Sequence, residues 1–141
     1  MGYDASLYVM KRKVIDREIK AFPDVPFDIL FGNRLFSWVH PEEYEIPEDE
    51  VGRYIFDTNK YTINHLDCVE DKYENTIIVE HEMFEKLYDE IESKLRHNSL
   101  IVMANCNEEQ LGELLDLVQL YKVLVDMEID WENEVLVYSC G

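Results

Sequence analysis

Histidine and cysteine are the residues of this chain best able to hold a metal or act as a nucleophile, and their spacing favours neither role. His65-Leu66-Asp67-Cys68 sets two ligands three apart, and His81, Cys106 and Cys140 could complete a zinc site. Zinc sites are normally built from two tight ligand pairs, whereas here one pair meets scattered single residues. His81-Glu82-Met83-Phe84-Glu85 lacks the second histidine of a zinc-protease helix. Ser99, Cys106 and Cys140 stand in no pattern that would give an attacking oxygen or sulfur its base and orienting acid. The five glycines are isolated, so there is no phosphate-cradling loop. The expectation is a protein with no metal, no cofactor and no catalytic residue; the alternative is a small enzyme with an unrecognised site. Three dispersed cysteines, an odd number, suit reduced thiols in a cytoplasm.

Carboxylates dominate what remains. The chain holds 31 Asp and Glu against 13 Lys and Arg, a net charge of −18. Residues 1–22 carry three acids and five bases, so residues 23–141 carry 28 acids and eight bases, a net −20. With acids this abundant, a pair at glycosidase spacing would arise by chance and indicates nothing. Direct contact with DNA or RNA is disfavoured, because phosphate affinity rests on Lys and Arg. The cluster Lys11-Arg12-Lys13 with Arg17 and Lys20 is expected to be a turn and the solvated face of a helix.

Self-repulsion on this scale serves solubility alone or is presented to a basic partner. Glu82, Glu85, Asp89 and Glu92 line one helix face, but Glu82–Lys86, Glu90–Lys94 and Glu92–Arg96 are favourable i, i+4 pairs that neutralise part of it. Two other zones have no such compensation. Glu42, Glu43, Glu45, Glu48, Asp49 and Glu50 surround Tyr44 in a ten-residue stretch without a base. Residues 97–141 hold nine acids against Lys122 alone, with Glu128, Asp130, Glu132 and Glu134 close together. These residues and Tyr44 are the candidate partner-binding set, since carboxylates can replace phosphates as the counterpart of Arg and Lys. Tyr44 or Tyr138 could also support self-association.

The elements that must position them follow from periodicity. The length suits one domain over residues 1–141, and 47% hydrophobic content is enough for a core. No apolar run is long enough to span a membrane, no leader pattern is present, and a cytoplasmic location is expected. Met1–Ser6 formally fits a myristoylation pattern, with no basic or second lipid signal beside it. Residues 5–10 are expected to form a strand, then a basic turn and a short helix closed by Pro23. Phe27, Leu30, Phe31, Leu35, Trp38 and Val39 favour one helix opened by Asp24, with Pro26 in its first turn, and stopped by Pro41, over a strand at Phe36–His40; residues 41–50 are expected to be an exposed loop. Arg53–Asp57 and Tyr61–Leu66 suggest a hairpin centred on Thr58-Asn59. Thr76–Val79 is a short strand or a lead-in to the next helix. Helices follow at about 82–97 and 108–126, with Leu100–Met103 between them a buried strand or further helix. The second helix carries the stripe Leu111, Leu114, Leu115, Val118, Tyr121 and Val125, and Val135–Tyr138 is a closing strand. The expected class is α+β: a mainly antiparallel sheet with two to four helices packed on one face.

Two short elements carry a resemblance. Met1-Gly2-Tyr3-Asp4 with Leu7-Tyr8 resembles the opening of small uncharacterised proteins of phages and prophages, which begin M-G-x-D before an aliphatic–Tyr pair. Asn33, Leu35 and Trp38 match their N-x-aliphatic-x-x-W element, with Phe36 where those proteins carry a histidine. The resemblance implies a phage accessory protein acting in a host cytoplasm. By analogy with acidic anti-CRISPR inhibitors and other DNA mimics, its partner would be a basic, nucleic-acid-binding host protein such as a CRISPR effector nuclease.

Overall fold

Leu7-Tyr8-Val9-Met10 and Val135-Leu136-Val137-Tyr138 are uninterrupted apolar runs, and such runs belong to strands buried on both faces. A computed structural model, which describes residues 5–31, 34–57, 66–69, 76–105 and 108–140, places them at the centre of a sheet. Its strands are β1 (Ala5–Lys11), β2 (Arg53–Asp57), β3 (Thr76–Val79) and β4 (Glu134–Cys140), in the order β2-β1-β4-β3 and all antiparallel. Leu7 lies opposite Tyr138 and Val9 opposite Leu136, and Ile77 faces Tyr138 from the other side.

Successive side chains of a strand point to opposite faces, and here each face has its own cover. Leu7, Val9, Ile77, Val79, Leu136 and Tyr138 join Leu87 and Ile91 of helix α5 (His81–Asn105) and Leu117, Leu120 and Leu124 of helix α6 (Glu108–Asp126). Met10, Val135 and Val137 turn the other way, towards Val14 and Ile15 of α1 (Arg12–Ala21), Leu30 and Phe31 of α2 (Phe27–Phe31), and Leu35 and Trp38 of α3 (Leu35–Trp38). The α+β class and the antiparallel sheet are as expected, but helices cover both faces rather than one. Each large side chain so buried contributes roughly 1.5–3 kcal/mol.

Several local expectations are corrected. No turn separates β1 from α1: the strand runs straight into the helix, and the Arg12 amide donates to the Asn133 carbonyl at 2.8 Å. The one helix expected between Asp24 and Pro41 is two short ones, α2 and α3; Gly32 and Asn33, both weak helix formers, lie between them in sequence and outside the described residues. Residues 41–50 are not a plain loop, since they hold α4 (Pro41–Tyr44) and a 3-10 turn at Glu48–Glu50. Leu100–Met103 is helical; no glycine or proline interrupts the 81–105 stretch, and Asn98 alone does not stop α5. Glu90 does not pair along the helix but accepts the amides of Asp67 and Cys68, each at 2.8 Å. Thr76–Val79 is a strand. The hairpin turn around Thr58 and Asn59 lies outside the described residues; its first arm is β2, while Leu66 sits at a buried bend.

α6 departs most from expectation. It buries Leu117, Leu120 and Leu124, while Leu111, Leu115, Val118 and Val125 are exposed. The helix carries two apolar arcs, and periodicity alone does not say which one meets the sheet.

Candidate functional site

The stretch from Leu35 to Glu50 is held from beneath. Leu35 and Trp38 enter the core, the Gly52 amide donates to the Trp38 carbonyl at 2.9 Å, and Arg34 lies 5.2 Å over the Trp38 ring. Gly52 has to be glycine for this approach, because a Cβ there would meet Met10 Sδ at 2.5 Å and the Val9 carbonyl oxygen at 3.0 Å. With Leu35 and Trp38 inside, Phe36 points out. His40 stacks on it at 3.8 Å between ring centroids, and Tyr44 meets it edge-on at 6.2 Å. His40 Nδ1–H donates to the Phe36 carbonyl at 2.8 Å, and Pro41 at the first turn of α4 fixes the backbone between the rings. The result is an aromatic ladder at i, i+4 and i+8, with Phe36 and Tyr44 about half exposed (47% and 50%).

Carboxylates flank this ladder. Glu42, Glu43, Glu45 and Glu48 are exposed and make no ion pair among the described residues. Glu45 takes a left-handed backbone (φ 53°), turning the chain out of α4. Their neighbours are committed elsewhere. Asp49 pairs with Lys13 and Glu50 with Arg17, tethering the 3-10 turn to α1. The hydrogen bond from Lys13 holds the Asp49 carboxyl below the usual carboxylate range, and the bond from Arg17 to Glu50 raises the guanidinium pKa.

The second acidic zone is mostly internal structure. Glu134 is largely covered, lies 3.5 Å from Lys11 and 3.4 Å from Arg53, and accepts the Asp130 amide at 3.1 Å. Asp130 accepts from Asn133 Nδ2 at 2.8 Å and from the Glu132 amide at 3.3 Å, and the Asn133 bond holds its carboxyl low. Glu128 contributes its carbonyl to Arg53 at 2.7 Å. Asp49, Asp130 and Glu132 line one cleft of about 480 Å³, but Lys11, Arg12 and Lys13 line it too. Glu128, Asp130 and Glu132 are exposed and make no ion pair among the described residues, but Asp130 is engaged by the Asn133 side chain, which leaves the Glu128 and Glu132 carboxylates facing solvent.

Lys11, Arg12, Lys13 and Arg17 of the basic cluster are absorbed in the same way, while Lys20 is exposed. Arg12 grips Glu80 bidentately at 2.7 and 2.8 Å and donates to the Trp131 carbonyl at 2.9 Å, joining α1, the start of α5 and the approach to β4. That grip holds the Glu80 carboxyl below its ordinary range.

The residues considered for metal or nucleophilic chemistry are scattered. His65 and Cys106 lie outside the described residues, as does the Cys140 side chain. His81 stacks on Trp131 at 5.0 Å with Nε2 3.3 Å from Glu85, and Ser99 Oγ donates to the Leu95 carbonyl at 2.7 Å within α5. Among the described residues, no three His, Cys, Asp or Glu side chains gather to hold a metal. Tyr138 is fully buried and offers no surface for self-association. Among the described residues, no helix is long and apolar enough to cross a membrane. Phe36 and His40 join the site although charge alone did not point to them; their signal was the four-residue spacing to Tyr44. No protein family, curated protein or solved structure matches the chain.

Proposed function

We propose that this is an acidic binding protein whose Phe36–His40–Tyr44 ladder and surrounding carboxylates occupy a basic, nucleic-acid-binding surface of a host protein. The observation that carries the proposal is a division of labour. Asp49 and Glu50 are paired within the fold, while Glu42, Glu43, Glu45 and Glu48 beside them face solvent around exposed aromatic rings. Carboxylates there would take the place of phosphates, and Arg guanidinium groups could both grip them and stack on Phe36 and Tyr44. The long-range field of a −18 chain would speed encounter with a cationic groove. The phage-like opening narrows the partner to a nuclease of host defence, with CRISPR effectors the first class to try.

The variant Glu42→Lys/Glu43→Lys/Glu45→Lys/Glu48→Lys tests this. Wild-type protein is expected to block target-DNA cleavage by the partner nuclease at low salt and to lose affinity as salt rises, while the variant fails at both. A matched Glu128→Lys/Glu132→Lys variant should retain most of the inhibition. Equal inhibition by wild type and the four-residue variant would show that the charge serves solubility alone.

A further inference from the structure

α6 presents a second surface that the proposed function does not use. Leu111, Leu115, Val118 and Val125 are 44–56% exposed and recur at i, i+4, i+7 and i+14. On a helix those positions fall within an arc of about 80° and along about 21 Å of its length. Apolar side chains aligned on one exposed face, unlike single scattered surface leucines, are the arrangement that interaction sites use. Beside its C-terminal end lies a groove of about 490 Å³ between α5 and α6, lined by Phe84, Tyr88, Leu124 and Val125 and edged by Glu85 and Asp89. Asp89 makes no ion pair among the described residues, and Glu85 has the His81 ring beside it, Nε2 at 3.3 Å.

We propose that this apolar strip and its acid-edged groove dock a basic amphipathic helix of a protein partner. Helix-in-groove recognition uses apolar anchors at this spacing, with flanking charges setting the choice of partner. Charge decides between occupants. A second copy would bring another −18 and the same Glu85–Asp89 edge against the first, and an anionic membrane would be repelled likewise. A helix with Leu anchors and Lys or Arg flanks satisfies both the strip and the edge. Lys122 interrupts the strip at i+11 and opposes such a partner, which gives the proposal a sign that can be checked.

The probe is a synthetic Leu/Lys amphipathic peptide of about 18 residues, roughly five helical turns, with a scrambled peptide of identical composition as control. Fluorescence anisotropy at about 150 mM salt suppresses attraction that depends on net charge alone. The amphipathic peptide is expected to bind at least about tenfold more tightly than the scrambled one. Leu115→Glu/Val118→Glu should abolish that preference, Glu85→Lys/Asp89→Lys should weaken binding about tenfold, and Lys122→Glu should tighten it. Because these positions are exposed, all variants should keep the wild-type circular dichroism spectrum and a cooperative melt at about 150 mM salt, where screening leaves little difference from the change in net charge. Equal binding of both peptides, or no effect of Leu115→Glu/Val118→Glu, would overturn the proposal. So would a wild-type dimer that Leu115→Glu/Val118→Glu converts to monomer, or capture by neutral phosphatidylcholine vesicles through the same residues.

Discussion

Tyr88 and Tyr121 meet hydroxyl to hydroxyl at 3.0 Å between α5 and α6. That hydrogen bond, helped by loss of solvent and the nearby Tyr121, Glu92 and Asp89, pushes the Tyr88 phenol up to about 12. A raised folded pKa favours the protonated form. The pair's contribution is therefore complete below the ordinary tyrosine value and is lost as pH climbs through the folded one. Tyr121→Phe removes the partner, so the tyrosinate absorbance of Tyr88 should appear at lower pH than in wild type; an unchanged titration would show that the bond does not set it. Thr76 offers a test of opposite sign. It is buried at 1% exposure, and its Oγ1 has no hydrogen-bond partner among the described residues. Thr76→Val replaces an unsatisfied hydroxyl with a methyl of similar shape, so thermal unfolding should show a neutral or stabilising change of up to about 1 kcal/mol.

At the scale of elements, the two apolar arcs of α6 make a sharp comparison. Leu120 is 1% exposed and Leu115 is 56% exposed, although both recur with helical spacing. Leu120→Ala should cost about 2–5 kcal/mol in chemical denaturation and Leu120→Asp should prevent folding. Leu115→Asp should stay within about 0.5 kcal/mol of wild type. A Leu115→Asp protein that fails to fold would reverse the assignment of the arcs. The same helix shows what sequence could and could not supply. The central strands were legible as apolar runs such as Val135–Tyr138, but the expectation of helices on one face missed the second layer that covers Met10, Val135 and Val137. The ends of α5 and the inward face of α6 were not, because helix limits without a strong breaker, and orientation with two apolar arcs, are decided by tertiary packing. The acidic segment was half legible. Six acids without a local base announced an exposed site, but only the fold brings Lys13 to Asp49 and Arg17 to Glu50 and so separates free carboxylates from structural ones. In the 128–134 zone the acids that looked available, Asp130 and Glu134, shape the turn into β4.

For the whole molecule, pairing cannot cancel the charge: were each of the 13 bases to hold an acid, 18 acids would still lack one. Salt weakens the exposed ion pairs and the repulsion together, but repulsion has the larger count and the longer reach. Raising salt from about 10 mM, where the screening length is about 30 Å, to about 150 mM, where it is about 8 Å, should therefore stabilise the fold. A gain of about 1 kcal/mol corresponds to a rise in melting temperature of roughly 4 °C for a domain of this size. Reversing Glu42, Glu43, Glu45 and Glu48 to Lys moves the net charge from −18 to −10, two units per residue. That variant should melt higher than wild type at low salt, with the difference shrinking at high salt. If the four carboxylates serve a partner, one substitution set raises the melting temperature and abolishes inhibition, the exchange expected where function requires a destabilising surface. If they serve solubility alone, the melting temperature still rises, inhibition is unaffected, and the variant loses only resistance to precipitation. Melting curves and cleavage assays on the same two proteins at the same two salt concentrations separate these outcomes.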